Sequence, residues 1–167
     1  MKTRELTLCG LLTALALALS YLEGLFPPLL PLPGVKLGLA NVVTVFALYA
    51  LGTVPALSIL LARCLLGSLF AGNMSALIFS LLGGLAAMGA TIALSRLRGL
   101  SIYGVSIGGA AAHHCGQVAA AVLTLGNGAP LYYLPFLLIA SLFTGALTGL
   151  VDACLFRALV RAEPRKG

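Results

Sequence analysis

Apolar runs of helical length follow one another along almost the whole chain, and polar residues gather mainly in the breaks between them. A hydrocarbon core of roughly 30 Å takes about 20 apolar residues per helical crossing. The pattern predicts six helices, over residues 6–22, 37–51, 54–70, 75–94, 102–125 and 132–160. Each break has a local cause. Pro27, Pro28, Pro31 and Pro33 remove backbone donors and fix φ, so the stretch after the first run is an ordered, non-helical loop. Pro55 suits the first turn of the third helix, and Ala71-Gly72-Asn73-Met74 makes the turn into the fourth. Ser95-Arg96-Leu97-Arg98-Gly99 closes the fourth, and Gly126-Asn127-Gly128-Ala129-Pro130 breaks the fifth from the sixth. The second run is short for a full span and also fits a re-entrant or tilted piece.

Composition narrows the class. Of 167 residues, 60% are apolar and 8% charged, against about 25% charged in a soluble domain. With a mean hydropathy of +1.11, there is too little polar surface to coat a water-soluble globule. A disulfide-rich secreted fold and a disordered tail are excluded with it. The expectation is an all-α, single integral membrane domain over residues 1–167, with no room for a soluble domain. The first run lacks an A-x-A-like exit and reads as a helix of the fold, not a cleavable signal.

Charge placement sets the orientation. With six spans both termini share a side, which carries Lys2, Arg4, Arg96, Arg98, Arg157, Arg161, Arg165 and Lys166, eight of the ten basic residues. The positive-inside rule makes that side cytoplasmic and turns the proline loop outward. The formal net charge of +6 is thereby a product of topology, and no nucleic-acid partner is expected.

Several chemistries are missing. No G-x-x-x-x-G-K-[ST] stretch occurs, so the chain does not supply a P-loop for ATP. The only acidic residues, Glu5, Glu23, Asp152 and Glu163, are scattered and provide neither an aspartate-rich magnesium–diphosphate site nor a carboxylate pair. Cys9, Cys64, Cys115 and Cys154 show no C-x-x-C spacing and read as small apolar residues. His113 and His114 are adjacent, so they point about 100° apart on a helix and make a poor metal pair. No catalytic residue, metal or cofactor is expected, and the chain is not read as an enzyme.

Polar groups inside apolar spans are costly and are functional candidates for that reason. Arg63 lies about 10 Å inside the third helix at 1.5 Å per residue. Lys36 and Asn41 sit at the start of the second, Asn73 and Ser75 in the turn between the third and fourth, and His113 and Gln117 at i, i+4 on the fifth beside His114. Tyr21 and Glu23 close the first helix. All fall in the outward half, whereas the inner half reads as nearly all Leu, Ala, Val, Ile and Gly. This predicts a pocket open to the outside, formed by Lys36, Asn41, Arg63, Asn73, His113, His114 and Gln117, for a ligand with an anionic or strongly hydrogen-bonding part. Purely structural roles are open for each: an Arg63–Glu23 pair, a snorkelling Lys36, capping asparagines, an interhelical His–Gln network. Tyr132 and Tyr133 fit ring stacking or an interfacial belt. Small-residue stripes recur at Gly10, Ala14 and Ala18, at Gly108, Ala112, Gly116 and Ala120, and at Gly145, Gly149 and Ala153. They allow close helix contact: internal for the last two helices, and for the first either internal or with another membrane subunit.

The run from Leu12 to Glu23, the proline loop, and Pro33-Gly34-Val35-Lys36-Leu37-Gly38-Leu39-Ala40-Asn41 resemble the Gx transporter family, also labelled heptaprenyl diphosphate synthase component I. Gly72-Asn73-Met74-Ser75 and Ala112-His113-His114-Cys115-Gly116-Gln117 match its other recurrent stretches, with His114 standing in place of an asparagine. The family in turn resembles the S components of energy-coupling factor (ECF) transporters. That resemblance implies six helices with cytoplasmic termini, a gating loop after the first helix, and an A-x-x-x-A stripe, here Ala14 and Ala18, that docks on a transmembrane coupling subunit. Two separate cytoplasmic ATPases would drive it. The function implied is capture of a small vitamin-like or prenyl/quinone-related molecule at the cell membrane. The alternatives are a non-catalytic membrane accessory of polyprenyl (heptaprenyl) diphosphate synthesis and a stand-alone oligomeric transporter or scaffold.

Overall fold

The structure, a computed structural model, describes residues 3–25 and 38–162, with side chains described as far as residue 158. Among the described residues there is no strand. Six α-helices follow in order: α1 (Thr3–Gly24), α2 (Asn41–Leu51), α3 (Thr53–Ala71), α4 (Met74–Ser95), α5 (Ile102–Leu125) and, after a 3-10 turn at Ala129–Tyr133, α6 (Leu134–Ala162). The all-α, six-helix fold is the one that the apolar runs predict.

Polarity is inverted relative to a soluble bundle. Leu11, Val54, Leu69, Phe70, Phe136 and Phe143 are exposed, whereas Asn41, Arg63, His113, His114, Gln117 and Asp152 are buried. Water as solvent would select the opposite; hydrocarbon selects this. Helices α1, α3, α4 and the stretch Ala129–Ala158 are each long and apolar enough to cross a membrane. The molecule is built as a membrane protein. Helix α5 has 24 residues, about 36 Å at 1.5 Å per residue, but carries the two histidines and Gln117. It packs along both α4 and α6, which covers them.

Helix α2 departs from expectation at its start. Residues 26–37, which hold the proline loop and Lys36, lie outside the described residues. Gly38 takes φ +85°, which breaks helical continuity. The Asn41 and Val42 amides bond to the Gly38 and Leu39 carbonyls at 2.8 and 3.1 Å, so the helix begins at Asn41. Gly52, at φ +94°, ends it, and α3 starts at once. Eleven residues span only about 16 Å, half a hydrocarbon core. Helix α6 begins later than the expected residue 132, because Pro130 seeds the 3-10 turn and Pro135 fits only the first turn of a helix.

The small-residue stripes separate into two kinds. A Cβ at Gly149 would lie 3.0 Å from the Tyr103 Cα, and one at Gly145 would strike the Ile107 backbone, so α5 and α6 touch backbone to backbone. Helix α1 buries Cys9, Thr13, Ala16 and Glu23 instead. Its Gly10, Ala14 and Ala18 are exposed, with nothing within 4 Å of a Cβ at Gly10. Replacing Gly145 by Leu should lower stability by about 2 kcal/mol or more, read as a depressed thermal midpoint in detergent. Gly10→Leu should leave the midpoint unchanged; equal midpoints for the two variants would refute the packing account.

Candidate functional site

The buried polar side chains converge where α2 begins. Arg63 Nη2 donates to Asn41 Oδ1 at 2.9 Å, with both residues buried. Arg63 is eight residues before the end of α3, about 12 Å along its axis, on the face that also buries Ile59, Leu60 and Cys64. Its guanidinium therefore enters the bundle, passing Gly84, where a Cβ would sit 3.6 Å from Nη2. Arg63 Nε has no hydrogen-bond partner among the described residues.

His113 reaches the same point from α5. A Cβ at Gly38 would lie 3.4 Å from its Cδ2 and 2.9 Å from Asn41 Nδ2, and a Cβ at Gly83 would lie 2.9 Å from its Cε1. Glycine on both sides is what lets the imidazole fit between the start of α2 and α4. On the adjacent residue, His114 Nδ1 meets Gln117 Oε1, about one turn further along α5, at 3.2 Å; with the amide oxygen accepting, Nδ1 carries the hydrogen. His114 Nε2 is buried without a hydrogen-bond partner among the described residues.

Glu23 holds the other side. Its Oε1 accepts from the Gly38 amide at 2.6 Å and its Oε2 from the Leu39 amide at 3.2 Å, a carboxylate on the positive end of α2. It lies within electrostatic reach of Arg63, while the hydrogen bond from Arg63 goes to Asn41. The structure thus brings together Asn41, Arg63, His113, His114 and Gln117. It leaves Asn73 apart: that residue is exposed in the α3–α4 turn, and its Oδ1 accepts from the Ser75 amide at 2.9 Å as an N-cap of α4. Tyr21 and Tyr132 are exposed as well.

Next to the cluster is a cavity of about 20 Å³, lined by Asn41, Thr44, Thr91, Ser106, Gly109 and Thr148 among others, room for roughly one water. These hydroxyls, together with the buried Asp152 on α6, are polar groups that the sequence reading did not single out as site candidates. Single hydroxyls among Leu and Ala carry no spacing signal. A larger groove of about 360 Å³, between α1 and α3 at Leu17, Tyr21, Gly67 and Phe70, has no charged group in its lining among the described residues.

The cluster offers a guanidinium, imidazoles and amides, which bind and orient. Among the described residues no group of three or more His, Cys, Asp or Glu is placed to hold a metal ion. Asn41→Leu should destabilise the protein by about 3 kcal/mol, because it strips a buried guanidinium of its acceptor. Chemical denaturation in detergent measures this, and a cost under about 1 kcal/mol would mean that the pair does not hold α2.

A family model described as heptaprenyl diphosphate synthase component I matches residues 12–155. No curated protein and no solved structure matches the chain. The matched stretch contains every member of the buried cluster, from Glu23 to Gln117, and the α6 carboxylate. The chain belongs to the heptaprenyl diphosphate synthase component I family.

Proposed function

We propose that this protein is the membrane-embedded substrate-binding subunit, S component-like, of an ATP-driven ECF-type uptake transporter. Its ligand is a small vitamin-like or prenyl/quinone-related molecule with an anionic or strongly hydrogen-bonding group. The observation that carries this reading is the buried cluster of Arg63, Asn41, His113, His114 and Gln117 against a water-sized cavity inside an apolar bundle. Groups so expensive to place in hydrocarbon are retained for a ligand. Lys36, near the start of α2 in sequence, is a further contact; Asn73, occupied as a cap, stands at the turn outside the cluster.

The lysine and arginine distribution supports cytoplasmic termini in the cell membrane. The exposed Gly10, Ala14 and Ala18 ridge supports docking on a transmembrane coupling subunit. Two cytoplasmic ATPases supply the hydrolysis, since the sequence has no P-loop. A second reading rests on the family's description: a non-catalytic membrane accessory of heptaprenyl diphosphate synthesis. Both readings make this chain a non-enzymatic member of a complex.

Mass spectrometry of the small molecule that co-purifies with the protein identifies the ligand. Arg63→Ala and His113→Ala should each remove it, with the helical circular dichroism retained; unchanged occupancy in both refutes the pocket. Ala14→Leu with Ala18→Leu should prevent recovery of the coupling subunit and ATPases while the small molecule stays bound. Co-purification of prenyl diphosphate synthase activity in place of ATPases decides for the second reading.

A further inference from the structure

Asp152 takes no part in the cluster around Arg63, and its surroundings are unusual. It is fully buried on α6, inside the stretch long and apolar enough to cross a membrane. Neither carboxylate oxygen has a hydrogen-bond partner among the described residues. The facing groups are few. From α2 comes Tyr49, within electrostatic reach. From α5 come Tyr103 and Ser106, which pack on Gly149 one turn before Asp152; Ser106 Oγ also lacks a partner. The nearest charged residue along α6 is Arg157, which is exposed. None of these neutralises a carboxylate, and an unpaired buried ion in hydrocarbon is the most expensive arrangement available to a side chain.

Two neutralising ligands are conceivable, a cation and a proton. A cation needs several oxygens converging on one point. Asp152 does not line the water-sized cavity beside Thr148, and no described hydroxyl donates a hydrogen bond to it. A proton needs no such shell.

We propose that Asp152 is a proton-binding site that latches α2 onto α6. In the packed state its carboxyl is protonated, and the seam closes by the Phe46–Phe156 stack, with centroids 5.3 Å apart, and the Tyr49–Phe156 edge contact at 5.9 Å. When the carboxyl O–H bond breaks, the proton passes to water entering the seam and leaves a carboxylate that draws further water between the helices. Helix α2 then loosens. Its first residue is Asn41, the acceptor for Arg63, so proton loss at one end of α2 disturbs the polar cluster at the other. The sign follows from linkage: the packed state binds a proton that the opened state gives up, so rising pH favours opening.

Amide hydrogen exchange on the full-length protein in detergent tests this, using Asp152→Asn, which resembles the protonated carboxyl and cannot ionise. After correction for intrinsic rates, exchange in α2 of the wild type should rise about tenfold between about pH 6 and about pH 9, while α2 of Asp152→Asn stays flat. If the asparagine variant fails to fold, Asp152→Leu takes its place. The wild type also serves alone, because a rise confined to α2, with α4 as internal reference, is itself required. A flat wild-type response, or an equal rise in the variant, overturns the proposal. So does a response that follows replacement of choline chloride by sodium chloride at constant pH, which would make the ligand a metal cation.

Discussion

One hydrogen bond organises the interior: the Arg63 guanidinium to the Asn41 side-chain oxygen at the first residue of α2. A helix of 11 residues has too few turns to be stable alone and too little length to be held by lipid at both ends. It is seated by what meets its ends. At its start it receives Glu23 on the Gly38 and Leu39 amides and Arg63 on Asn41. Further along, Phe46 and Tyr49 pack on Phe156. In a medium that offers no hydrogen bonds, each of these polar contacts is obligatory once its groups are buried.

Around that short helix the bundle has a rigid side and an open side. Helices α4, α5 and α6 approach closely enough that glycines at 116, 145 and 149 meet neighbouring backbone directly. The histidines of α5 are therefore carried on the firmest part of the molecule. Helix α1 is different: its small residues look outward, and it reaches the rest chiefly through α3 and α2.

Much of the candidate site was legible because polar residues in apolar runs are rare. Arg63, Asn41, His113, His114 and Gln117 stood out from composition alone, and helical spacing put His113 and Gln117 on one face of α5. Asn73 stood out equally, yet it is exposed and caps α4. An asparagine in a turn carries the same sequence signal whether it faces a ligand or its own helix. Thr44, Ser106 and Thr148 were invisible, since a hydroxyl can bond its own preceding carbonyl and so passes for an apolar residue in a span. Thr44 and Thr148 do bond in this way.

The hydrophobic pattern by itself determined the number of helices, their membrane character and most of their limits, because crossing hydrocarbon demands a fixed length of apolar helix whatever lies beside it. It places the starts of α2 and α6 four and two residues early, because the breaks at Gly38 and ahead of Pro135 fall inside apolar runs that carry no mark of where the helix begins. Only the tertiary structure decided which helix faces meet: that Arg63 bonds Asn41 rather than Glu23, that His113 fits between two glycines of different segments, and that Asp152 is buried. Those outcomes depend on the rotation of each helix about its own axis. That rotation is set by close packing among side chains distant in sequence, and in lipid no strong amphipathic stripe records it along the chain.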